Sequence, residues 1–197
     1  PLEQQDDSTF LAPAARLTFT FHRDAVGRVR TLTAYRAPQG GRGDQYGRLL
    51  VEAVKPFIDR TYRTRPEAAH TALGGSSLGG LITLYLGLNY ADVFGKLLVV
   101  SPSVWWSDED IVAHVRALPE ETGQRIWLDM GTEENGAIES ARRLRDALVS
   151  KGWALESELR YVEAEGAAPA ELEQLARRRV RLWGSDTTGI YCHPTCR

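Results

Sequence analysis

Apolar positions along the chain follow two rhythms. Near the start they alternate: Leu17, Phe19 and Phe21 face one way, Thr18 and Thr20 the other. After a turn signal at 24–27 the pattern resumes through Val29 and Leu32 with the β-branched Thr31 and Thr33, which predicts a β-hairpin. From residue 46 onward, short apolar runs at 69–73, 96–100, 125–130 and 155–162 read as buried strands. Stretches of helical spacing separate them. Tyr46, Leu49, Leu50, Ala53 and Phe57 mark one helix, which Pro56 should kink or end. Leu78, Leu81, Ile82, Tyr85 and Leu88 mark the apolar face of the next. A helix at 108–118 is faced by Ile111, Val112 and Val115, with Ser107 or Asp108 as its cap. A helix at 137–150 follows, and one at 169–183 carries Pro169 in its first turn and Gly184 after its end. Strands separated by helices predict an α/β fold in three layers, a mainly parallel sheet with helices on both faces. The Pro- and Gly-rich stretch 37–44 reads as a linker. The expected organisation is an amino-terminal hairpin segment and linker at 1–40, a core at 41–184 and an irregular tail at 185–197.

One stretch carries chemistry. Gly75-Ser76-Ser77-Leu78-Gly79 has the pattern Gly-x-Ser-x-Gly, with a predicted strand before it and a predicted helix after it. That context is the nucleophile elbow, a strained turn that presents its serine at the edge of a sheet. Ser77 would stand at a helix N-terminus, where the dipole favours negative charge, and the Leu78 N–H would supply one oxyanion donor. The alternative is a glycine-rich turn without chemistry.

Composition narrows the function classes. The 197 residues hold 24 Lys and Arg against 26 Asp and Glu, a balance that argues against a broad nucleic-acid or membrane-surface patch. No run is long and apolar enough to span a bilayer. The two cysteines, Cys192 and Cys196, leave the body of the chain without a disulfide framework, so a reducing cytoplasm is the expected location. No cofactor is expected. The histidines are His22, His70, His114 and His193.

From about 41 to 183 the chain resembles the putative esterase family of α/β-hydrolases, which includes enterochelin-esterase-like enzymes. The match rests on YGRLLVEAVKPFIDRTYRT at 46–64, GGSSLGGLITLYLGLNYADVFGKLLVVSPSVWW at 74–106, WLDMGTEE at 127–134 and the elements that close the sheet. The resemblance implies an α/β-hydrolase-like fold, here truncated on its amino-terminal side. It implies Ser77 as nucleophile and Glu134 as the acid that orients a histidine. It also implies Trp105 and Trp106 as an aromatic wall beside the acyl or aryl pocket. A solvated loop acid and core-packed tryptophans remain the alternatives for these three residues.

Two departures bear on catalysis. Pro169 stands where the family carries its histidine, and proline cannot accept a proton. The family's early aspartate-glycine loop, source of the second oxyanion donor, has no counterpart upstream of Gly41. His193 is then the candidate base. The tail around Cys192, His193 and Cys196 also resembles half of an Ada-type zinc motif, but offers three ligands where tetrahedral zinc takes four, so no metal is expected. The expected function is a serine esterase acting on a small-molecule ester. The competing class is a catalytically inactive hydrolase-fold binding protein, and an open sheet edge would favour a homodimer.

Overall fold

One mixed sheet organises the molecule. The computed structural model describes residues 3–4, 9–12, 17–23, 29–36, 42–134, 136–165 and 188–192, with the side chains of 20–21, 42–134 and 136–165. Strands β1 (Glu3–Gln4), β2 (Thr9–Ala12), β3 (Leu17–Arg23) and β4 (Val29–Arg36) form an antiparallel meander. The predicted hairpin is thus its β3–β4 half. Strands β5 (Thr71–Ser76), β6 (Lys96–Val100), β7 (Arg125–Gly131) and β8 (Leu159–Ala164) are parallel neighbours. The two halves are joined by β9 (Thr188–Cys192), parallel to both β4 and β5, so the order is β1-β2-β3-β4-β9-β5-β6-β7-β8. This corrects two expectations. The region 185–197 is not irregular throughout, since it supplies a central strand, and the amino-terminal segment shares the sheet of the core.

The helical elements depart from the sequence pattern in two instructive places. Pro56 does not end its helix. It lacks the N–H for a bond four residues back, and the preceding turns widen to a π-helix over Leu49–Val54. The chain then continues as α2 (Lys55–Thr61), with Pro56 in the first turn where no N–H is needed. Before the π segment lies α1 (Gly43–Arg48). The second departure is α3 (Leu78–Asn89), whose predicted face is not the one turned to the sheet. Gly79, Gly80, Thr83, Leu84, Leu86, Gly87 and Leu88 are buried, while Leu78, Leu81, Ile82 and Tyr85 are half-buried. Tyr85 and Ile82 meet α1, where the Tyr85 hydroxyl donates to Asp44 Oδ1 at 2.6 Å. Small residues face the strands because the approach is close: a Cβ on Gly87 would lie 2.3 Å from Leu97 Cδ2 of β6. A helix apolar all round is a buried helix, and its largest side chains go where there is room.

Helix α5 spans Ala137–Ser150, as the spacing predicts. The helix expected at 108–118 is α4 (Asp110–Ala117), preceded by an irregular turn. The strand expected at 155–162 begins later, as β8. The helix expected at 169–183 lies outside the described residues. Trp153 and Phe94, both 0% exposed, anchor the core. The buried Gln124 amide donates to the Gly87 carbonyl at 2.9 Å and the Phe94 carbonyl at 2.5 Å, stitching the far end of α3 to the strand entries. No helix among the described residues is long and apolar enough to cross a membrane.

Candidate active site

Ser77 follows β5 at the carboxyl edge of the sheet and opens α3 with φ 58° and ψ −123°. For a non-glycine residue such a conformation costs about 1–3 kcal/mol and must be imposed by its surroundings. Three main-chain bonds impose it. Ser77 N donates to the Val100 carbonyl at 3.0 Å, and the Ser77 carbonyl accepts from Leu81 N at 3.0 Å and Ser103 N at 3.1 Å. Gly80 makes the turn possible: a Cβ there would lie 2.9 Å from the Val100 oxygen and 3.2 Å from both the Gly75 oxygen and Pro102 Cα. Ser77 is half-buried. Leu78, first residue of α3, has no intrahelical acceptor for its N–H.

The Ser77 hydroxyl lies 3.1 Å from that of Ser103. Ser103 is a site residue that sequence reasoning did not single out, although its Ser101-Pro102-Ser103 phrase directly follows the apolar run 96–100. Asp129 is another. It sits on β7 with 0% exposure, accepting from Ser101 N at 2.9 Å on one oxygen and Trp127 Nε1 at 2.6 Å on the other. The signal for it was a carboxylate inside the otherwise apolar run 126–130. It supports the turn toward Ser103, where Ser101 holds a φ of 38°.

Burial raises the Asp129 carboxyl to about 7, against the pull of its two N–H donors and with the Glu134 charge adding to the rise. An unfolded aspartate ionises near 3.9. Folding therefore favours the protonated form, a contribution fully present below about pH 4 and lost as pH rises through about 7. Denaturant unfolding at pH 5 and pH 8 should show the protein losing stability over this interval. Asp129→Asn should flatten that loss, even if it lowers stability at both values. An unchanged slope would mean Asp129 ionises normally.

Glu134 lies in the turn after β7, half-buried, and its Oε1 accepts from Gly131 N at 3.4 Å within its own loop. Since β6 separates β5 from β7, Glu134 stands on the same sheet edge as Ser77, about two strand spacings or 10 Å away laterally. Trp105 and Trp106 are 61% and 42% exposed, so they are not core residues. They follow Ser103 and lead into three successive residues with positive φ: Ser107 at 54°, Asp108 at 53° and Glu109 at 63°. The predicted cap does not form: no side chain caps α4, and the Ser107 hydroxyl donates instead to Asp110 Oδ2 at 2.9 Å.

The histidines divide by position. His70 precedes β5 and so lies about 20 Å along the strand from Ser77. His114 of α4 packs on Tyr85 at 5.3 Å between ring centroids and meets Asn89, last residue of α3, some 18 Å of helix from Ser77. His22 is on β3, three strand spacings from β5, about 14 Å. His193, Cys196 and Pro169 lie outside the described residues. Cys192 ends β9, level with Gly75. Among the described residues, Ser77 thus has a hydroxyl partner and no imidazole.

Comparison with known proteins matches this architecture. The family described as "Putative esterase" matches residues 24–167. The iron(III) enterobactin esterase of Escherichia coli (strain K12) is 44% identical over 57 residues, 29% of this chain and 12% of that protein. The siderophore enterobactin esterase of Emericella nidulans is 33% identical over 76 residues, 39% of this chain and 25% of that protein. Enterochelin esterase from Shigella flexneri has a similar structure, with a TM-score of 0.65 and 19% identity, covering 78% of this chain and 43% of that one. The chain spans less than half the length of these relatives. The structural likeness establishes the α/β-hydrolase fold, and the family match covers most of the chain: the protein belongs to the putative esterase family.

Proposed function

We propose that the chain is the catalytic part of a carboxylic-ester hydrolase working through an acyl-enzyme on Ser77. The observation that carries this reading is the strained, half-buried Ser77 at the head of α3. A hydroxyl held this way can reach a substrate carbonyl while the helix N-terminus faces the developing charge. The Ser77 oxygen attacks the ester carbonyl, its proton passes to a base, and the oxyanion is met by the Leu78 N–H. The alcohol leaves with that proton, and water then releases the acid and restores the serine.

His193 is the base in this reading. Its support is the register of β9: Cys192 is level with Gly75, two residues before Ser77, and one step of chain advances 3.8 Å between Cα atoms. Strands β9 and β5 run in the same direction, so Cys192 ends β9 on the edge at which β5 ends. Glu134, on that edge, would orient the imidazole. Trp105 and Trp106 would flank the acyl or aryl group of a small-molecule ester. A structural relative, the enterobactin esterase of Shigella flexneri, was crystallised in the presence of 2,3-di-hydroxy-N-benzoyl-glycine, which makes aryl-bearing esters the first class to test.

One observation favours a second reading, a non-catalytic binding module: the Ser103 hydroxyl at 3.1 Å accepts or donates a hydrogen bond but cannot hold a proton as a base. A fluorophosphonate probe separates the two. Labelling of the wild type that vanishes in Ser77→Ala supports the hydrolase; an unlabelled, folded wild type supports the binding module.

A further inference from the structure

Three successive non-glycine residues in the left-handed region need something to hold them, and the turn's own bonds are few. Trp106 N donates to the Ser103 carbonyl at 3.1 Å, and Ser107 bonds to Asp110. Val104, directly before Trp105, is buried in the core, and a further tether, on the far end of the turn, comes from across the surface. The Glu109 carboxylate accepts from Arg143 Nε at 2.9 Å and Arg143 Nη2 at 2.5 Å, a bidentate pair, and from the Ser140 hydroxyl at 2.5 Å. Arg143 also donates to the Ser140 oxygen at 3.0 Å, closing the triangle. Both donors lie on α5, one helical turn apart. The first residue of that helix, Ala137, donates its N–H to the Glu134 carbonyl at 3.0 Å. One helix therefore ties down the end of the tryptophan turn and also begins at the loop of the candidate acid.

Resting on the esterase reading above, we propose that Arg143 and Ser140 are positioning residues: by clamping Glu109 they hold Trp105 and Trp106 in the exposed conformation that receives an aryl acyl group. The clamp touches no substrate. Planar bidentate recognition of a carboxylate is what a guanidinium does and an ammonium cannot reproduce. The Arg143 side chain holds the Glu109 carboxyl near 2, well below the usual range, so the clamp stays charged at every pH where the protein would be assayed. Indole faces stack on aromatic rings in preferred geometries, so a turn released from its clamp loses aryl binding before it loses chemistry.

The test compares 2,2,2-trifluoroethyl benzoate with 2,2,2-trifluoroethyl acetate, which share a leaving group. Arg143→Met and Ser140→Ala should raise KM for the benzoate about tenfold with kcat unchanged, and leave both constants for the acetate unchanged. Arg143→Lys should recover part of the loss. Combining Arg143→Met with Trp105→Ala should cost no more than Trp105→Ala alone. Equal effects on both esters, or none, would overturn the proposal. If neither ester is turned over, the esterase reading fails, and binding still decides on the clamp. Benzoate titrated against tryptophan emission should then bind about tenfold more weakly to Arg143→Met, and an unchanged affinity would overturn it.

Discussion

Replacing His193 by alanine is expected to lower kcat/KM for 2,2,2-trifluoroethyl acetate about ten-thousandfold, the scale seen when a triad loses one member. A serine hydroxyl without a base stays protonated at neutral pH and attacks poorly. The Ser103 hydroxyl is 3.1 Å away but cannot take that proton. On this proposal the two residues act as one unit, so Ser77→Ala combined with His193→Ala should be no slower than either alone. The wild-type rate should climb with pH as the base gives up its proton, and that limb should vanish in the variant. A loss below tenfold, with the limb intact, would show that Ser77 draws its base from elsewhere.

Gly80→Ala is expected to strike both folding and reactivity. Alanine normally gains about 1 kcal/mol over glycine inside a helix. Here the added methyl would meet the Val100 oxygen at 2.9 Å and the Gly75 oxygen and Pro102 Cα at 3.2 Å. These are backbone atoms that cannot rotate aside, so α3 must lift from the sheet or the elbow must shift. Overpacking of this kind costs about 1–3 kcal/mol, which outweighs the propensity gain. Ser77 is three residues away, and a displacement of about 1 Å at a reacting group can cost a hundredfold in rate. Urea unfolding should show a lower midpoint, and fluorophosphonate labelling should slow about a hundredfold. Gly87→Ala gives the contrast, because its contacts are side-chain atoms of Leu97 rather than backbone. It should disturb stability while largely sparing the labelling rate. A Gly80→Ala protein that labels at the wild-type rate would show that the elbow does not depend on this close approach.

What the sequence discloses is what local interactions decide. The elbow, β6 and α5 could be read because their turn chemistry and periodicity lie within the segments themselves. The sheet-facing side of α3 could not, because small residues win those positions only through the nearness of β5 and β6. The tryptophan turn was equally hidden. Ser107, Asp108 and Glu109 carry no glycine to announce positive φ, and their tether, Arg143, comes 34 residues after Glu109. Ser103 and Asp129 lie within the stretches 74–106 and 127–134, but their roles depend on which strand lies beside which. Strand β9 was the least visible element. Five residues, one of them glycine, give no period, and the strand exists because β4 and β5 offer facing edges.

That insertion sets the order in which the molecule can be assembled. Everything from β1 to β8 leaves the ribosome before the piece that bridges β4 and β5. Until it arrives, two strands display free hydrogen-bonding edges toward each other across a gap one strand wide, and such edges invite pairing with other chains. The serine turn follows one of those strands, so it acquires its neighbour on the β9 side only in the closing step. Newly made chains should therefore be most sticky, and least competent, just before β9 emerges.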